Sequence, residues 1–405
     1  MSGERGFTLI ELVVVMGILT IFASFLVQLT GTSVGLFQDG ERGQDLADRA
    51  DAAASTVHGA LDGMVGPGGL DLDGEAPSTR LLVQWVPLVG PDATPGVVRE
   101  KPTYLGTRVQ VLRATVQIDG ETEADLLRPL LLQEAAATAS ATTPAAIGER
   151  LAELLAEAPR GGRAQMLLIA RPAGDADGAF FDLRRILLLP GQLLEVSRNR
   201  QVDIMAVPQV GSADLPWPVI DAHSAAIAHG LLHVEFALWS QFTRSWNAQV
   251  GQGGPEYAWD SARAGLFTEA DEARAVFGMD VGPDSLRDLS DDVFPRWLAA
   301  TVVVASNFGS EALLADDLRA GERMVRVLDE ARLPDVREAP YVKIGSEWVR
   351  YTSVENRTLR GLQRGQRGTK ATDHPAGTRV RVGRTIELFV RLPHGKDCWN
   401  APSTR

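Results

Sequence analysis

Cysteine is almost absent: Cys398 is the single one in 405 residues. One thiol cannot close an intramolecular disulfide, so packing alone must hold the fold, and the cysteine count leaves the redox compartment open. Positive charge is also short. Forty Lys and Arg stand against 52 Asp and Glu, a formal net charge of −12. That balance disfavours a general nucleic-acid binder and suits a soluble, self-repelling surface. No phosphate-cradling glycine loop and no cysteine–histidine cluster occurs in the chain, and no cofactor is expected. What is there is ordinary globular composition, 45% hydrophobic and 23% charged, which excludes wholesale disorder and leaves room for about two folded units.

The N-terminal segment departs from that average. No charged residue occurs from Leu12 to Phe37, and about 20 apolar residues suffice to cross a bilayer as a helix. Glu11 sits at the start of this run, where a carboxylate costs roughly 2.5–3.5 kcal/mol in hydrocarbon. An ordinary signal peptide fits poorly, because Arg5 is the only basic residue before the run and Glu11 interrupts it. A plain anchor accounts for the length and leaves Glu11 unexplained. Cleavage between Gly6 and Phe7 would free an α-amino group about one helical turn from Glu11. The carboxylate could then neutralise that amine on its own or a neighbouring subunit, which offsets most of the burial cost.

The stretch Gly6-Phe7-Thr8-Leu9-Ile10-Glu11-Leu12 resembles the processing site of type IV prepilins and type II secretion pseudopilins. The resemblance implies a short leader ending at Gly6, N-methylation of Phe7 and a subunit-docking role for Glu11. It also implies the partners: a prepilin peptidase/N-methyltransferase, other pilin or pseudopilin subunits, and the inner membrane, with a single-pass anchor and a periplasmic body. Leu46, Ala50, Ala53, Val57, Ala60 and Met64 then recur at spacings of three and four, one apolar stripe of a continuing helix. Gly31, Gly35, Gly40 and Gly43 mark either a loose joint or a stretch that melts on assembly, each costing about 1 kcal/mol relative to alanine. The breaker cluster Gly63, Gly66, Pro67, Gly68 and Gly69 ends the helix.

Beyond residue 80 the pattern turns to short apolar runs between turns. Strands are expected over Leu81–Val89, Arg108–Ile118, Gln165–Ala170, Phe181–Leu189, Leu232–Trp239 and Ile386–Leu392. Asp119-Gly120 and Pro190-Gly191 read as turns, residues 134–146 as an Ala/Thr linker, and Pro144–Ala158 as a helix. Segment 249–293 reads as a large loop with helical pieces. The fold class expected is α+β: a long N-terminal helix packed on a mostly antiparallel sheet, with a small β-rich insertion near the C-terminus. The domains are 1–6 leader, 7–62 assembly helix, 63–309 body, 310–384 insertion and 385–405 final strand and tail. The order Leu231–Trp239, Trp246, Trp259, Pro295–Val304 is similar to that of the larger minor subunits, the J-type minor pseudopilins and W-type minor pilins.

The insertion resembles a small β-rich module of phage structural proteins, through Tyr341–Tyr351, Leu359–Thr369 and Asp373-His374-Pro375-Ala376-Gly377. Ten Lys and Arg stand against three Asp and Glu from Tyr341 to Arg384. They form either a solvated basic face or a patch for an anionic partner, whether another subunit, a cell-surface polymer or DNA. Lys343, Arg350, Arg360, Arg364 and Arg367 are its candidates.

Other candidate chemistry is weak, and no enzyme is expected. Gly31-Thr32-Ser33-Val34-Gly35 fits a nucleophile pattern without the strand that must precede it. His229 and His233, with His223 and Glu235 nearby, have helical metal spacing in a strand-like setting. Asp71–Glu75 holds only a fragment of a calcium loop.

Overall fold

A computed structural model of the chain describes residues 9–65, 81–87, 107–139, 143–157, 161–174, 178–205, 215–240, 245–246, 257–260, 295–305, 312–329, 333, 336–337 and 340–392. The chain divides into two compact units, Met1–Arg49 and Ala50–Arg405. Helix α1, Leu9–Asp62, begins in the first and ends in the second, and runs unbroken through Gly31, Gly35, Gly40 and Gly43.

In the first unit, Val13–Val34 is long and apolar enough to cross a membrane, and none of it is buried. Ile21 and Val27 are 73% and 74% exposed. Threonine hydroxyls along this stretch are satisfied within the helix: Thr20 donates to the Met16 carbonyl and Thr30 to the Leu26 carbonyl, each at 2.8 Å. A polar group entering hydrocarbon needs such an internal partner.

In the second unit the end of α1 is amphipathic, and its stripe is buried as the spacing requires: Ala50, Ala53, Val57, Ala60, Leu61 and Met64. Leu46, just before this unit, is half-buried. After Gly63 the chain is stitched to β2 (Arg108–Ile118) by Val65 N–H donating to the Thr115 carbonyl and Gln117 N–H to the Gly63 carbonyl. The strand before it is β1, Leu82–Pro87. Helix α2, Gly120–Thr138, follows β2 directly, capped by Asp119 Oδ1 accepting from Thr122 N–H at 2.7 Å. Helix α3, Pro144–Glu157, packs on it.

Strands β3 (Gly162–Pro172) and β4 (Phe181–Leu188) form an antiparallel pair. A small hairpin of β5 (Leu194–Ser197) and β6 (Arg200–Val202) and helix α4 (Trp217–His223) lead to β7 (Ala225–Ser240), the longest strand. Then come β8 (Ser245–Trp246), β9 (Tyr257–Asp260) and β10 (Trp297–Ala305). Where residues 81–240 were expected to be extended, the strands form at those places, β3 and β7 longer than expected and β1 and β4 slightly shorter. Most of segment 249–293, the Gly66–Gly69 breakers, Asp71–Glu75 and Cys398 lie outside the described residues.

After β10 the chain builds a module before returning. Its strands are β11 (Ala312–Leu313), β12 (Met324–Arg326), β13 (Tyr341–Ile344), β14 (Glu347–Arg350), β15 (Ser353–Glu355), β16 (Thr358–Arg360), β17 (Gln363–Gln366) and β18 (Arg379–Arg381). They make a sheet ordered β11-β18-β13-β14-β17 and a smaller one ordered β12-β16-β15. Asn356 and Arg357 both have positive φ in the two-residue turn between β15 and β16, as a right-twisted hairpin requires. The module has its own core, including Leu314, Leu318, Val342, Ile344, Val349, Tyr351 and Leu359.

Strand β19, Gly383–Arg391, then pairs with β10 along its whole length, from Ala305 opposite Gly383 to Trp297 opposite Arg391. The main sheet is thus ordered β19-β10-β7-β4-β3-β2-β1-β9, with β8 on β7, and its ladders are antiparallel. The fold is α+β: an apolar N-terminal helix followed by a mostly antiparallel body that carries a β-rich insertion.

Candidate functional site

Two regions carry the residues singled out by the sequence. In the first, Gly6 and Phe7 lie outside the described residues; Glu11 falls in the first turns of α1, its side chain likewise outside. What is described is the surface just beyond. Leu9, Ile10, Val13, Val14 and Val15 are all more than half exposed. A contiguous apolar helix surface of this length has to be covered by lipid or by other apolar helices. Gly31–Gly35, the nucleophile-like motif, lies inside this helix and has no strand before it.

The second region is the seam between module and main sheet. In β13, Val342 and Ile344 face the module's core, so the alternation of a strand turns Lys343 the other way. Lys343 is 1% exposed, and its ammonium donates to the carbonyls of Ala179 at 2.6 Å and Leu232 at 2.8 Å. It also lies 4.4 Å from the centre of the Phe181 ring. Arg367 stacks over Tyr341 at 4.4 Å and Trp348 at 4.6 Å, and burial lowers its pKa. Gly368, with φ of +75°, brings the chain so close to the main sheet that a Cβ there would stand 2.5 Å from the Trp85 ring. Its carbonyl accepts from Arg108 N–H at 2.8 Å.

Glu347 is the module's internal pin. Its fully buried carboxylate accepts from Arg364 Nε and Nη2, both at 2.7 Å, from the N–H groups of Gly365 and Thr372 at 2.9 and 3.1 Å, and from His374 Nε2 at 2.8 Å. Burial alone would raise its pKa; these donors outweigh burial and hold it down at about 2.

The five expected cations therefore do not make one surface. Lys343, Arg364 and Arg367 are used inward. Arg350 and Arg360 are exposed, and Arg360 forms a surface pair with Glu355 at 3.2 Å. Of the ten cations from Tyr341 to Arg384, Lys343, Arg364, Arg367 and Arg381 are drawn inward onto carbonyls, a carboxylate and aromatic faces, while Arg350, Arg357, Arg360, Lys370, Arg379 and Arg384 are exposed.

The histidines also separate. His229 pairs with Asp182 and His233 with Glu235, each at 3.1 Å. His233 is buried against Trp348, ring centres 5.8 Å apart, and desolvation lowers its pKa to about 4. His223 ends α4. The seam was not anticipated from sequence; the one available signal was Lys343 alternating with Val342 and Ile344 in a strand.

The exposed apolar helix has the length and composition of a membrane anchor, and an antiparallel α+β body follows it. Residues 1–27 match the family model described as the prokaryotic N-terminal methylation motif. The match takes in Gly6, Phe7, Glu11 and the first part of α1, and it supports a type IV pilin-like protein, which implies processing by a prepilin peptidase. No curated protein and no solved structure matches the chain.

Proposed function

We propose that the chain is a minor pilin or pseudopilin, a structural subunit rather than an enzyme. It is cut between Gly6 and Phe7, N-methylated at Phe7, and assembled into a type II secretion pseudopilus or a type IV pilus. The observation that carries this reading is the methylation-motif match over residues 1–27, which runs into a helix whose apolar residues are uncovered. In this reading residues 1–6 are the leader, 7–62 the assembly helix and 63–309 the periplasmic body. The module at 310–384 is an insertion ahead of the final strand and tail, 385–405. Until assembly the helix holds the chain in the inner membrane.

Glu11 directs docking by pairing with the new α-amino group of its own or a neighbouring subunit. An unpaired carboxylate at that depth would be costly, so assembly and pairing are coupled. The reading is tested by Glu11→Ala in cells that carry the peptidase and the other subunits. The variant is expected to stay membrane-inserted and processed and to disappear from sheared fibres. Incorporation at the level of the unsubstituted chain would refute it.

A further inference from the structure

One face of the main sheet changes character along its length. Leu298, Ala300 and Val302 of β10 point into the core and are fully buried. The alternate residues Trp297, Ala299, Thr301 and Val303 lie on the other face, opposite Trp239, Ala237, Glu235 and His233 of β7. At the His233–Val303 end the module covers this face through Trp348 and Tyr341. At the other end the described residues leave it open, and it carries aromatic rings. Trp246 lies 5.3 Å from Trp239 and 5.8 Å from Phe389, centre to centre. Trp246, Trp297 and Phe389 are 39%, 37% and 53% exposed.

The exposed part of these three side chains amounts to about 300 Å². A stable protein partner needs about 800 Å² on each side, so the patch is too small to hold one by itself. Its rim carries both signs of charge, with Glu387 and Arg391 exposed on β19 on the same face as Phe389. A lipid surface would favour a basic rim alone, whereas sugar hydroxyls both donate and accept hydrogen bonds. The ring-to-ring spacings are those of mutually packed aromatic rings, which fixes the shape of the patch before anything binds. The rings are tilted by 64° and 54° to one another. A flat crystalline surface would ask for coplanar rings, and a single chain that turns as it passes would not.

We propose that Trp239, Trp246, Trp297 and Phe389 form a stacking platform for a single neutral polysaccharide chain, with Arg391 and Glu387 hydrogen-bonding its hydroxyls. The apolar C–H faces of the sugars lie on the rings, and no covalent step is involved. The platform belongs to the body and does not depend on processing at Gly6–Phe7.

The test uses the full chain in a sugar-free detergent, titrated with cellohexaose, chitohexaose and maltohexaose while indole fluorescence and heat are followed. Saturable binding of at least one hexasaccharide is expected. Phe389→Ala and Trp246→Ala should each weaken it about tenfold, the contribution of one stacked ring, with unchanged near-ultraviolet circular dichroism for Phe389→Ala as the check on folding. Three results would overturn the proposal: no saturable binding of any of the three sugars, undiminished binding by both variants, or a concentration-dependent self-association that Phe389→Ala abolishes.

Discussion

Glu347→Gln removes one negative charge and leaves the side chain almost the same size, so its effect isolates the carboxylate. Two donors converge on Oε1, Arg364 Nε and the Gly365 N–H, and three on Oε2, from Arg364 Nη2, the Thr372 N–H and His374 Nε2. A glutamine can offer an oxygen to only one of these sets. Whichever way the amide turns, its NH₂ group meets donors, and the Arg364 guanidinium, 7% exposed, loses its counter-charge. Removing one partner of a buried ion pair costs about 3–5 kcal/mol. If the module opens locally, the Gly365 and Thr372 amides should exchange with solvent at least about a hundredfold faster, the lower end of that range in rate terms. Hydrogen exchange read by mass spectrometry measures this, with β2 and β3 amides as the internal reference. An acceleration of less than about tenfold, roughly 1.4 kcal/mol, would show that Glu347 is not the pin.

Gly368→Ala adds a Cβ at a positive-φ position against the Trp85 ring and the Arg108 carbonyl. It should lower stability by more than about 1 kcal/mol, seen as a lower melting temperature and faster proteolysis between β10 and β19. Val57→Ala, at a fully buried position of α1, should cost about 2 kcal/mol from two lost methyls and the space they leave. Val27→Ala, on the exposed apolar half, should leave the melting of the body unchanged. His233 is held neutral by burial, with a folded pKa of about 4 against an ordinary 6.5, despite the opposing pull of Glu235. The unfolded chain therefore takes up the proton first, and stability present above about pH 6.5 declines as the pH falls toward 4. Glu347, depressed from 4.5 to about 2, adds a further loss only below about pH 4.5. Urea midpoints across this range should fall in two stages, and His233→Gln should flatten the upper one.

The parts of the fold legible in sequence are those set by local periodicity. The stripe from Ala50 to Met64 is buried where the three-and-four spacing puts it, and the run Arg108–Ile118 is a strand with those ends. A final strand over Ile386–Leu392 was legible because the run is largely apolar and follows a stretch of different composition, whereas its pairing with β10 came only with the structure. Helix α2 was not. Asp119-Gly120 has the look of a turn, Pro129 sits inside the helix, and the Ala/Thr run to Thr138 reads as a linker. The N-cap signal was present in Asp119 and the acidic first turn of Glu121 and Glu123. The inward use of Lys343, Arg364 and Arg367 was illegible for a different reason. Charge counted along a strand does not tell which face is covered, and here both faces are: one by the module's core and the other by the main sheet. The aromatic patch was hidden in the same way, since Trp239, Trp246, Trp297 and Phe389 meet only through sheet order.

The central claim rests on a bond that is either cut or intact. The chain is expressed with a prepilin peptidase, extracted from membranes, and its N-terminal peptide is weighed and fragmented. The account predicts a peptide that begins at Phe7 and carries one methyl group on its α-nitrogen. A chain that keeps Met1–Gly6, in membranes where a known prepilin is processed by the same peptidase, would contradict it.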